Sequence, residues 1–165
     1  MTVCAANTTM VDPITIIGAA GAIANIIDIA SKTIQGLHEL HSRWSNADLT
    51  LLSLISQLIS LQAALTKIEE WLTLDEREHH HQFVLGLNSS LLCCKTLVCD
   101  MSTVIEGLEW RADGRLATSS RIEVVFGERK RNDYHKAIDA QISVLTLLLS
   151  ACSWSVPHFI EQGGI

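Results

Sequence analysis

The chain has 165 residues, enough for one domain with a sizeable core and short for two. Hydrophobic residues make up 48% and charged residues 18%, below the roughly 25% charged fraction of an average domain, which excludes a disordered chain. A formal charge of −6 argues against a nucleic-acid binder, whose footprint is a basic surface.

Four stretches repeat apolar residues in steps of three and four, the spacing that keeps side chains on one stripe of an α-helix. The first runs Ile16, Ala20, Ile23, Ile27, Ala30, Ile34 and Leu37, after Asp12-Pro13, a helix start with proline in the first turn. The second runs Leu51, Leu54, Leu58, Leu61, Leu65, Ile68 and Leu72, with a capping candidate in Ser45-Asn46-Ala47-Asp48. The third runs Phe83, Leu87, Leu91, Cys94, Val98, Met101, Ile105 and Leu108, with Thr73-Leu74-Asp75 as its candidate cap. The fourth begins at Ile122 and Phe126 and continues through Tyr134, Ile138, Leu145, Leu149 and Cys152. Residues 111–120 read as the long loop, and Pro157 as the end of the last helix.

No segment alternates every second residue for long, so the expected fold is all-α: an up-down four-helix bundle of long helices, with a fifth if one is broken in two. Residues 1–12 read as a flexible extension, 13–156 as the bundle and 157–165 as a tail. No internal repeat or second domain is visible. The five cysteines, Cys4, Cys93, Cys94, Cys99 and Cys152, follow no disulfide-framework spacing and read as buried free thiols of a reducing, cytoplasmic compartment. The first basic residue is Lys32, so no basic region precedes the apolar stretch as in a secretory signal.

Three uncharged runs raise the question of membranes. Residues 49–66 carry serines, threonines and glutamines opposite the leucine stripe, and residues 141–160 are diluted by Ser, Thr and a proline. Both read as bundle helices. Residues 14–27 differ, being apolar or small on every face except for Thr15 and Asn25. Such a helix is either central in a fold or in contact with lipid. Fourteen residues cover roughly 21 Å, short of the roughly 30 Å hydrocarbon layer, so spanning would need oligomerisation or a thinned bilayer.

Chemistry has little to stand on. His79, His80 and His81 follow one another about 100° apart on a helix and cannot converge on one metal. His38 and His41 share a face without an identifiable third ligand. No G-x-S-x-G elbow, Cys–His–Asn signature, P-loop lysine or C-x-x-C pair is present. No catalytic residue, cofactor or metal is therefore assigned, and the chain reads as a non-enzyme. Charge is uneven: residues 111–136 hold seven of the twelve basic residues, among them Arg121, Arg129, Lys130, Arg131 and Lys136, against four acids. Beside an apolar helix such a cluster would attract anionic lipid, by about 1 kcal/mol per basic residue. On solvated faces it would do nothing of the kind.

Met10-Val11-Asp12-Pro13-Ile14 and the small-plus-isoleucine helix behind it resemble the opening of a fungal family, the HeLo-like N-terminal domains of STAND (NACHT-type) receptors and ankyrin-repeat proteins, including the azaphilone-cluster protein L type. Arg121-Ile122-Glu123, Phe126, the basic run to Tyr134 and residues 141–149 resemble that family's closing helix. The resemblance covers about residues 10–152. It implies a cytoplasmic signalling or programmed-cell-death module that oligomerises with itself and sends its first helix into the plasma membrane. Carried to this chain, that membrane-active helix is Ile14, Ile16, Ile17, Gly18, Gly21, Ile23, Ile26 and Ile27. Expected partners are further copies of the chain, anionic lipid and a STAND-type receptor, with no nucleic acid. The alternative is a soluble homo-oligomerising or adaptor scaffold that never meets lipid.

Overall fold

The computed structural model describes residues 13–43, 49–74, 81–108 and 127–153, and these form an all-α helical bundle. Helix α1 spans Pro13–Arg43, α2 spans Leu49–Leu74, α3 spans His81–Glu106 and α4 spans Glu128–Ser153. Pro13 opens α1, where its missing N–H costs nothing because first-turn amides have no partner within the helix. Asp12, the segment with the expected α2 cap, the 111–120 loop, Ile122, Phe126 and Pro157 lie outside the described residues.

The repeated apolar positions become the core. On α2 all seven expected residues are buried. On α3, Leu87, Leu91, Cys94, Val98 and Met101 are buried. Leu108 is buried too, just beyond the helix end, where Gly107 and Leu108 donate back to the carbonyls of Thr103 and Ile105. On α4 the inward residues are Tyr134, Ile138 and Leu145. Helix α1 is rotated slightly from expectation: Ala19, Ile23, Ile26, Ala30, Thr33, Leu37 and Leu40 are buried, while Ala20, Ile27 and Ile34 are half-buried at the edge of the stripe. Thr33 fits in the core because its hydroxyl donates to the carbonyl of Ile29 at 2.8 Å, leaving its methyl group to pack.

Two expected boundaries move. Thr73 and Leu74 belong to α2, and the Thr73 hydroxyl donates to the carbonyl of Glu70 within that helix. Helix α3 then begins at His81, later than a cap at residues 73–75 implies.

Contacts across the core set the helix directions. Gly86 meets Leu148, Ser90 meets Gln141 and Asp100 meets Tyr134, so α3 and α4 run antiparallel. Gly36 meets Ile105, both in the C-terminal halves of their helices, so α1 and α3 are parallel. Gln57 bonds His135 and Asp139, both in N-terminal halves, so α2 and α4 are parallel. Only five residues separate α1 from α2, which makes that pair antiparallel. The directions alternate up and down as expected, but the neighbours do not follow chain order. Helix α1 packs on α2 and α3, and α4 packs on the same two, leaving α2 and α3 on a diagonal. Six residues separate those two helices and reach about 20 Å. A diagonal is about 11–14 Å for interaxial spacings of 8–10 Å, so a short connection does not force its helices to touch.

Candidate functional surfaces

Among the described helices, α1 is one of four corners, with two neighbours, rather than a central helix. Within its uncharged first half, Ile23 and Ile26 point into the core, while Gly18, Gly21, Ala24 and Asn25 face outward. Ile27 is half-buried. Ile14, Ile16 and Ile17 fall in the first turns of α1, and their side chains lie outside what is described. The segment reads as apolar on every face because glycine and alanine fill its outer arc. Those residues expose little side chain to any solvent. At mid-length α1 is tied to α2: Gln62 Nε2 donates to the carbonyl of Ile27 at 3.0 Å and to the Ser31 hydroxyl at 2.8 Å.

The described basic residues sit elsewhere. Arg129 and Lys136 are exposed, and Lys130 and Arg131 are half-buried, all in the first half of α4; Arg121 lies outside the described residues. The contacts Gly36–Ile105, Asp100–Tyr134 and Gly86–Leu148 put this half of α4 level with the later part of α1. At 1.5 Å per residue the cluster stands about 17–27 Å along the bundle from Gly18, Lys136 nearest. It also has partners within the fold. Lys130 Nζ lies 3.9 Å from Asp100 Oδ2 and 5.6 Å from the centre of the Tyr134 ring. The Tyr134 hydroxyl donates to the same carboxylate, and burial, reinforced by that bond and its charge, pushes the phenol well above its usual range.

Other polar side chains between helices serve as register pins. His135 Nδ1 donates to Gln57 Oε1, and Gln57 Nε2 donates to Asp139 at 2.7 Å, joining α2 to α4. Ser90, buried on α3, donates to Gln141 of α4 at 2.9 Å. Cys94 lies beside the same amide oxygen at 3.9 Å, and burial pushes its thiol up to about 11. Cys93, Cys94 and Cys99 are free, as expected, but Cys93 is exposed because it stands one helical step from inward-facing Cys94. Cys4 and Cys152 lie outside the described side chains. No cluster of three metal-ligating side chains occurs among the described residues.

What sequence reasoning missed is the apolar surface outside the core. Leu49, Leu52 and Ile59 are exposed on α2, Leu85 and Leu92 on α3, and Val144 and Leu147 on α4. Helix α2 is also long and apolar enough to cross a membrane, with a mean hydropathy of 1.6 over Leu49–Thr73; its leucine stripe is buried in the bundle and its outer side mixes these residues with serines. One signal was available beforehand. No Asp, Glu, Lys or Arg occurs in residues 81–94 or 140–153. In comparisons with known proteins, no family model, curated protein or solved structure matches this chain.

Proposed function

We propose that this chain is a non-catalytic helical module that works through apolar contact between helices, associating with itself as a soluble scaffold. The observation that carries this reading is the set of large aliphatic side chains left outside a closed core on three of the four helices. Isolated exposed leucines are ordinary, whereas aliphatic residues gathered on uncharged surface mark contact sites.

A second reading has one observation in its favour. Among the described residues, helix α1 lies on the perimeter, begins with an uncharged half and has no helix outside it, so its release to a membrane after clustering is topologically open. The signalling and cell-death roles, the STAND-type receptor and a conditional place at the plasma membrane belong to this reading. It ranks second on energy. Ile23, Ile26, Leu37 and Leu40 are buried to within 1%. Exposing four such side chains costs about 6–12 kcal/mol at 1.5–3 each, which lipid burial would have to offset. The basic cluster at the start of α4 stands on the helix diagonal to α1 and is poorly placed to hold headgroups against that half, to which Lys32 of α1, paired with Asp28, and Lys95 of α3 stand nearer.

Light scattering of the full chain, with and without vesicles containing phosphatidylserine, separates the readings. An oligomer indifferent to vesicles is the expected result. Partition into vesicles with release of an entrapped dye would favour the second reading, and a monomer inert to lipid would sink both.

A further inference from the structure

Helix α4 ends at Ser153, and the next seven residues, 154–160, carry four large apolar side chains, Trp154, Val156, Phe159 and Ile160, and no Asp, Glu, Lys or Arg. Pro157 lacks the N–H that would continue a helix and disfavours helical backbone at Val156, so the sequence favours leaving the α4 axis there. Two grooves flank α4 at this end of the bundle, and they differ. On the α2 side, Thr146 and Ser150 continue the line of Asp139, which meets Gln57. Helix α2 answers with exposed Ser60 and with Lys67, whose ammonium pairs with Glu70, while Ala64 and Trp71 are packed against the core. On the α3 side, α4 exposes Val144 and Leu147, and α3 presents Gly86 and Ser89, small residues that leave the space between the helices open, with Leu85 on the rim. A Cβ at Gly86 would meet only Leu148, at an ordinary 3.7 Å. Lys95, Asp133 and Lys136 are also exposed on this side, but at 1.5 Å per residue they stand about 20–30 Å from the end of α4.

We infer that the tail turns at Pro157 and lies in the groove between the N-terminal half of α3 and the C-terminal half of α4, with Phe159 and Ile160 against Leu147 and Val144, as a strap that covers this face in the isolated chain. Reach supports this occupant. Leu147 and Val144 stand about 9 and 14 Å back along α4 from Ser153. Extended chain advances about 3.3 Å per residue, so Phe159 and Ile160 fall about 7 and 10 Å back from the turn, level with Leu147 and close to Val144. Tethering supports it too. A segment joined to α4 acts at an effective concentration of about millimolar and needs less contact area than a separate molecule. That suits a groove too small for the about 800 Å² per partner of a standard interface. The inference goes beyond the scaffold reading and does not depend on it. Under that reading, this face becomes a contact site only once the strap leaves, whereas Leu49, Leu52 and Ile59 of α2 stay available throughout.

Methyl NMR of the full chain tests the strap. Cross-peaks are expected between the Phe159 ring and the methyl groups of Val144 and Leu147, whose signals the ring displaces. In the double variant Phe159→Ser/Ile160→Ser the cross-peaks should vanish and those signals should shift, while Leu52 and Ile59 stay in place. Both substitutions fall outside the four described helices, and circular dichroism checks that helix content is kept. Should it fall, Phe159→Leu replaces them, removing the ring and keeping an apolar side chain. Val144 and Leu147 signals that do not move in either variant overturn the inference, and an oligomer seen by light scattering would then leave the scaffold reading standing. Shifts confined to Thr146 and Ala64 overturn it as well, by sending the tail to the α2 side. So do cross-peaks found only between labelled and unlabelled copies in a mixed sample, which would give the groove to a second copy's tail.

Discussion

Tyr134 is the chain's one tyrosine, and its hydroxyl donates to Asp100 while its ring packs in the core. Burial is the larger cause of its raised pKa, with the Asp100 bond and charge adding to it. A folded-state pKa above the unfolded value means that the neutral phenol's contribution is complete below about pH 10 and is lost as pH rises beyond it. Tyrosinate absorbance should therefore appear at higher pH in the native protein than in denaturant. The thermal midpoint should fall as pH passes about 10, and Tyr134→Phe should flatten that fall while costing about 1 kcal/mol at neutral pH. Equal tyrosinate midpoints in native and denatured protein would refute this. The tyrosine's place in the core was legible from its spacing to Ile138. Its partner was not, since Asp100 is 34 residues away on another helix. Ile23 teaches a related lesson: it is fully buried, so a charge placed there would report on folding rather than on lipid.

At the scale of a helix, the glycines of α1 divide by what lies beside them. A Cβ at Gly36 would come within 2.7 Å of Ile105 Cγ2, whereas Gly21 has nothing within 4 Å. Gly36 thus lets α1 approach α3 closely, and the Cγ2 of a β-branched residue has little freedom to retreat. Alanine gains up to about 1 kcal/mol of helix propensity at either site. Crowding at Gly36 costs about 1–3 kcal/mol. Gly36→Ala is expected to lower the urea midpoint and Gly21→Ala to raise it; shifts of the same sign would show that close approach is not the role of Gly36. Sequence alone sees two glycines in one apolar helix. The α2 stripe was fully legible because its leucines are regular, while the α1 stripe was offset because small residues blur the boundary between its inner and outer arcs.

At the scale of the molecule, one core runs through all four helices, and α1 supplies much of it. Unfolding should therefore be a single cooperative transition. Hydrogen exchange tests this directly: mid-α1 amides near Ile26 and Ala30 should exchange with the same free energy as mid-α2 amides near Leu61. Exchange of α1 at distinctly lower free energy would show it opening on its own and would strengthen the membrane reading. The diagonal placement of α2 and α3 also decides which surfaces exist. Had neighbours followed chain order, α2 would lie beside α3 and α1 beside α4. As packed, α3 stands between α1 and α4, and the uncharged halves of α3 and α4 form one face.

The sequence by itself determined the helices, most of the inward residues and the alternation of directions, because apolar spacing and chain breaks are local properties. It also held the uncharged runs, but only as separate stretches. Which helices are neighbours, where the basic residues stand relative to α1 and which leucines remain outside were decided by tertiary packing. Each depends on contacts between residues tens of positions apart, and helical periodicity carries no information about which stripe meets which.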